Sequence, residues 1–89
     1  VVAGTCGIPA DAKAISVNIA VTGATSPGDI RLHPGGTAVP LVSSINFKAG
    51  QTRSNNGVVP LSALGELAVY LDQASGTAHL ILDVNGYFK

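Results

Sequence analysis

Apolar and polar residues alternate along much of the chain, and this pattern predicts β-strands. The alternation is clearest at Ile15 to Val21, Leu67 to Asp72 and His79 to Asn85. Every second side chain in these segments is apolar, which is typical of a strand with one face in a core. Shorter segments of the same kind predict strands at Asp29 to His33, Val42 to Phe47 and Val58 to Leu61. We therefore expect an all-β chain without helix.

Turn-forming residues separate the predicted strands. Ser26-Pro27-Gly28-Asp29 places Pro and Gly at the second and third positions of a type II turn. Asn55-Asn56-Gly57 contains an Asn-Gly pair that suits a tight turn. Pro60 cannot donate to a strand ladder, so its strand should lie at a sheet edge or carry a bulge.

Two further turn segments, Ala63 to Glu66 and Gln73 to Thr77, predict hairpins on either side of the Leu67 strand. Short strands with turn signals between them favour an antiparallel sandwich. We expect residues 1–89 to form a single β-sandwich domain, Greek-key or jelly-roll-like. Its last strand should bury Leu80, Leu82 and Val84 and should point Asp83 to the opposite face.

Charge is scarce in this chain, and that narrows its partners. Charged residues make up 11% of the sequence, where about 25% is usual, and five basic side chains balance five acidic ones. No net field attracts phosphate backbones, so we expect no nucleic-acid partner. No apolar run reaches the about 20 residues of a membrane-spanning helix. Neutrality instead favours self-association.

No catalytic or metal-binding motif accompanies the strand pattern. Cys6 has no second cysteine to pair with, so it should be a small buried or half-buried apolar residue or form a disulfide between chains. His33 has no ligand-spaced partner, and His79, Asp83 and Asn85 share a strand face without further ligands. We therefore expect a protein that is not an enzyme and needs no cofactor. Asp83 is expected to have a structural role and to accept a hydrogen bond from Arg53.

Carbohydrate binding is the alternative that the aromatic residues leave open. Tyr70 and Tyr87 could stack on a sugar ring, with Asn55 and Asn56 as polar contacts. Phe47 and Phe88 are expected in the core instead. In this alternative the protein is a carbohydrate-binding module, and its partner is a cell-surface polysaccharide.

Several motifs, in this order, resemble those of a β-rich accessory module of secreted and cell-surface bacterial proteins. They are Cys6-Gly7-Ile8-Pro9, Gly50-Gln51-Thr52-Arg53-Ser54-Asn55-Asn56 and Leu82-Asp83-Val84-Asn85-Gly86-Tyr87-Phe88. The resemblance implies export to the cell surface or the medium. It implies no particular chemistry, because the family has no generally established activity.

The chain departs from that family in two respects. Members usually open with an additional strand that contains an Arg-x-x-Asp-Thr-Arg-like motif, and no such strand precedes Val1 here. Members often carry a second cysteine near the position of Leu71, which would pair with the one at Cys6. The resemblance therefore implies a sandwich with an unfilled strand position and with Cys6 unpaired in its own chain.

An unfilled strand position predicts assembly, because unpaired backbone groups beside an apolar groove attract another strand. We expect β-strand addition from a neighbouring subunit, with Val1-Val2-Ala3 or Tyr87-Phe88-Lys89 as the donor and Cys6 near the partner. Head-to-tail donation favours a filament or ring over a two-fold dimer. The rival expectation is a monomer that closes its own sheet with Val1 to Gly4. The function expected from the sequence is thus an extracellular structural or adhesive module that self-associates.

Overall fold

A computed structural model describes residues 1–41 and 43–89, and this part of the chain contains six strands and no helix. The strands are β1 (Ala14–Thr22), β2 (Gly28–Pro34), β3 (Ile45–Phe47), β4 (Arg53–Pro60), β5 (Leu67–Asp72) and β6 (His79–Phe88). The all-β expectation is confirmed. Val42, where the third predicted strand begins, lies outside the described residues.

The strands form two antiparallel three-stranded sheets that pack face to face. One sheet has the order β4-β1-β6 and the other the order β3-β2-β5, which confirms the sandwich. β4, β5 and β6 follow one another in the chain but lie in alternate sheets. The hairpins expected at Ala63 to Glu66 and Gln73 to Thr77 are therefore wrong, because these segments carry the chain from one sheet to the other.

The core lies between the two central strands. Alternate residues of β1 are almost fully buried, and β2 and β3 contribute the opposing side chains. The main core residues are Ile15, Val17, Ile19, Val21, Ile30, Leu32, Ile45 and Phe47. Because β1 and β2 each have a neighbour on both sides, their inward faces are shielded most completely.

Two of the expected turns are instead parts of strands. Gly28 opens β2 opposite Phe47, and its φ is not positive, so it does not occupy the third position of a type II turn. Asn55, Asn56 and Gly57 pair with β1 inside β4. In both cases pairing with a neighbouring strand outweighs the local turn preference. Pro60 ends β4, an edge strand, as expected.

Candidate functional site

The two sheets meet differently along their two long sides. On one side, β4 approaches β2 and β3 of the opposite sheet, and we call this the closed side. On the other side, β5 and β6 are edge strands of their sheets. We call the inward faces and free edges of β5 and β6 the open side.

Polar side chains join the sheets on the closed side. Arg53 and Asn55 point inward from β4, because they lie opposite Val21 and Ile19. An apolar core residue would be usual at such positions. Arg53 Nη1 donates to the carbonyl of Asn46 at 3.1 Å. Asn55 Nδ2 donates to the carbonyl of Ser44 at 2.8 Å.

These two bonds satisfy backbone acceptors at and beside the short strand β3. The expected bond from Arg53 to Asp83 is wrong, because Asp83 lies opposite Asn18 on the outward face, whereas Arg53 points inward. The Arg53-Ser54-Asn55 segment thus has a structural role, since it fastens one sheet to the other.

The inward face of β6 forms one wall of the open side. Leu80, Leu82 and Val84 lie opposite Val21, Ile19 and Val17 respectively, so their expected orientation is confirmed. Their expected burial is wrong. Leu80 keeps 36% of its surface exposed and Val84 keeps 38%, and Leu82 is half-buried. In the described part of the chain, β6 packs closely only against β1, whereas β4 at the opposite edge also approaches the second sheet.

The inward face of β5 forms the facing wall. Leu71 and Val69 lie opposite the buried Ile30 and Leu32 of β2, so they too point into the sandwich. Nevertheless, Val69 is 48% exposed and Leu71 is 43% exposed. Sequence reasoning missed this wall, since an alternating pattern predicts which face a side chain points to but not whether a neighbour covers it.

A β-bulge at the end of β6 adds an aromatic ring to the open side. Ser16 lies opposite Gly86 and Val17 lies opposite Val84, so Asn85 is the additional residue. The extra residue inverts the alternation beyond it. Tyr87 therefore points inward opposite Ile15, and Phe88 points outward opposite Ala14 with 52% of its surface exposed. The expectation that Phe88 belongs to the core is wrong for this reason.

The N-terminal segment covers one end of the open side. The backbone N–H groups of Val2 and Ala3 donate to the carbonyl of Gly65 at 2.8 and 3.2 Å, and Gly65 belongs to the loop before β5. A cavity of about 500 Å³ lies between this segment and the end of β6, with Val2, Ile8, Val84 and Tyr87 among its walls. Val1 to Gly4 form no strand, so they do not close a sheet.

Cys6 lies at the mouth of this cavity. Its side chain is exposed and free, so the expectation of a buried or half-buried residue is wrong. Its φ of 50° lies in the left-handed region that favours glycine, and Gly4 and Gly7 beside it share that conformation. A tight turn therefore presents the thiol to solvent.

The candidate sugar contacts do not converge. Tyr70 lies opposite Arg31 on the outward face of one sheet, and Tyr87 faces the cavity of the other. Asn55 faces the closed side, whereas Asn56 lies opposite Asn18 on the outward face of its sheet. The structure thus distributes these residues over separate surfaces.

Tyr70 belongs to an ion-pair cluster centred on Arg31. Arg31 contacts Asp29 at 3.0 Å and Asp72 at 3.2 Å, and its guanidinium lies 5.8 Å from the centre of the Tyr70 ring. Arg31 Nη1 also donates to the carbonyl of Pro40 at 3.1 Å, which holds the loop after β2 over this sheet. The hydrogen bond with Asp29 raises the pKa of Arg31, against the effect of desolvation, so the guanidinium keeps its positive charge.

Metal and membrane features can be reported for residues 1–41 and 43–89. In these ranges, no group of three or more His, Cys, Asp and Glu side chains is arranged to hold a metal ion. The two histidines lie in different sheets, at β2 and β6. The same ranges contain no helix with the length and apolar character needed to cross a membrane.

Comparison of the chain with protein-family models, curated proteins and solved structures gave no match.

Proposed function

We propose that this chain is a non-catalytic β-sandwich module that functions by associating with a further β-strand along its open side, and that another copy of the chain supplies the strand. One observation carries the proposal: apolar side chains that point into the sandwich are exposed on both β5 and β6. On a central strand the same positions would be buried.

The chemistry of the open side fits a strand better than a small molecule. A strand supplies backbone donors and acceptors to an unpaired sheet edge, and its alternate side chains fill the apolar space beside that edge. Leu80, Leu82 and Val84 border a free edge of this kind on β6, and Val69 and Leu71 border another on β5. Covering both walls removes apolar surface from water, which drives association.

Composition supports a partner of the same kind. The formal net charge is zero, so two copies experience no long-range repulsion. As part of the proposal we assign the module to the cell surface or the secreted fraction, on the resemblance of its motifs to those of exported bacterial modules. An adhesive or structural role follows, because such a module contributes a contact and no reaction.

The proposal is tested by measuring mass against concentration by sedimentation equilibrium over about two decades of concentration. We expect the apparent mass to rise above 8.9 kDa. Val69→Asp should abolish the rise, because it places a charge in the apolar wall of β5. Val39→Asp is the matched control, since Val39 is 40% exposed but lies in the loop after β2, away from the open side.

A mass of 8.9 kDa at every concentration would contradict the proposal, as would equal effects of the two substitutions. The carbohydrate alternative makes a different forecast. A sugar-binding module would raise its melting temperature with added polysaccharide and would remain monomeric, whereas the proposed module should do neither.

A further inference from the structure

We infer that the open side is covered by the open side of a second copy, through antiparallel pairing of β6 with the partner's β6 about a two-fold axis at Ile81. The inference rests on the proposed function and adds the orientation and register of the partner. In this arrangement the two β6 strands join two three-stranded sheets into one continuous sheet.

β6 is the longest edge strand of the sandwich. Edge strands of monomeric proteins usually avoid pairing by being short or by carrying Lys or Pro. Among the other edges, β3 has three residues, β4 contains Arg53 and Pro60, and β5 has six residues and ends at Asp72, which is already paired with Arg31. β6 has ten residues, and its sequence His-Leu-Ile-Leu-Asp-Val-Asn-Gly-Tyr-Phe contains no Lys, Arg or Pro.

The terminal segments are already engaged within their own chain, which disfavours head-to-tail donation. Val2 and Ala3 are hydrogen-bonded to Gly65, and Tyr87 and Phe88 are paired with β1. To donate either segment, a subunit would have to break these contacts. Pairing between two β6 edges leaves them intact.

The apolar face of β6 restricts the register. Side chains directly opposite in an antiparallel pair point to the same face. Leu80 and Leu82 of both copies therefore point to the open side only in every second register. With Ile81 on the axis, Leu80 lies opposite the partner's Leu82. His79 then lies opposite the partner's Asp83, which allows two equivalent hydrogen bonds between imidazole and carboxylate on the outward face.

The neighbouring allowed registers are poorer. With Leu82 on the axis, Asp83 lies opposite the partner's Ile81, and His79 meets the bulged Asn85 of the partner, where ladder pairing is interrupted. With Leu80 on the axis, Asp83 lies opposite the partner's Thr77, beyond the end of β6. Only the register at Ile81 matches apolar residues with apolar residues and His79 with Asp83.

The arrangement closes on itself. The two-fold axis runs perpendicular to the joined sheet, so both copies keep their second sheet on the same side. The two open sides then face each other, and Val69 and Leu71 of both copies line a shared interior. Since this uses the β6 edge of each copy, the product is a dimer and not a filament.

Cysteine crosslinking tests the axis directly. In a Cys6→Ser background, Ile81→Cys should form a covalent dimer on mild oxidation, because only a two-fold axis at this residue brings it next to its own copy. Val58→Cys is the matched control. Val58 is 60% exposed on the outward face of β4, at the opposite edge of the same sheet, and should give only the background of random collisions.

A second pair of variants measures the strength of the contact. Ile81→Lys places two like charges opposite each other on the axis and should weaken dimerisation about fivefold, whereas Val58→Lys should leave it unchanged. Ile81 is 51% exposed, and circular dichroism should confirm that its variants keep the strand signal. Two results together would show that the register is wrong while the proposed function stands. Association would persist in Ile81→Lys, and the Ile81→Cys variant would crosslink no more than the Val58→Cys variant. If neither the parent chain nor any variant associates, both the register and the proposed function are wrong.

Discussion

Gly28 is a residue whose side chain is restricted by the backbone of another strand. A Cβ at this position would lie 2.5 Å from the carbonyl oxygen of Asp72 and 3.0 Å from Cζ of Phe47. The first contact is to main chain and cannot be relieved by a rotamer change. β2 can therefore approach the end of β5 only because residue 28 is glycine.

We expect Gly28→Ala to destabilise the fold by about 1 to 3 kcal/mol, because the added methyl group forces the backbones of β2 and β5 apart. Gly57→Ala is the control within another strand. A Cβ at this position would have no atom within 4 Å, so the substitution should be neutral or stabilising by about 0.4 to 1 kcal/mol. Urea unfolding of both variants measures the difference, and equal midpoints would contradict the close approach.

Ile19 and Leu82 lie opposite each other on neighbouring strands and differ in burial. Ile19 is 2% exposed, so Ile19→Ala should cost about 2 to 5 kcal/mol. Leu82→Ala should cost less, about 1 to 2 kcal/mol, at concentrations where the chain is monomeric, because Leu82 is only half-buried.

At high protein concentration the cost of Leu82→Ala should increase, since the parent chain then gains stability from an interface that includes Leu82. Urea unfolding at low and high concentration provides the measurement. A cost that is independent of concentration would place Leu82 outside any interface.

At the scale of elements, the N-terminal segment depends on one loop glycine. Gly65 has a φ of 73°, and a Cβ there would lie 2.5 Å from Cβ of Ala3. Gly65→Ala should displace this segment and leave the strands in place. Gly36→Ala carries the same backbone strain, at a φ of 74°, without any atom within 4 Å, and it is the matched control.

Hydrogen exchange distinguishes these two variants. The amides of Val2 and Ala3 should lose protection in Gly65→Ala and keep it in Gly36→Ala, because only the first breaks the contact with the segment. If both variants exchange alike, then general strain, and not the contact with Ala3, controls the segment.

At the scale of the whole molecule, the surface is larger than the mass requires. The accessible surface is 5173 Å², where a folded chain of 8.9 kDa exposes about 4800 Å² on average. The radius of gyration is 13.3 Å, against about 12 Å for a chain of this length. Both values agree with a sandwich that is open along one side.

Because the open side is apolar and the chain has no net charge, its association should be nearly independent of salt. We expect the dissociation constant to change less than about threefold between 0.1 and 1 M NaCl, although the screening length falls from about 10 to 3 Å. Sedimentation equilibrium at both salt concentrations checks this. A large weakening by salt would indicate an interface held by charges instead.

The sequence by itself determined the class of fold and the direction of most side chains. Alternation at Ile15 to Val21 predicts β1 and its buried face, because a strand with one face in a core requires period two. Pro60 predicts an edge strand, since proline removes a backbone donor. These are local properties of the backbone and need no knowledge of the neighbours.

Only the tertiary structure decided which inward residues are covered. The patterns of β1 and β6 are alike, yet Val17 is 1% exposed and Val84 opposite it is 38% exposed. The difference arises because β1 has a neighbour on each side and β6 has one. Likewise, the bulge at Asn85 and the inward position of Arg53 follow from the register of β6 and β4 against β1. Register relates segments that are distant in the chain, so the periodicity of one segment does not predict it.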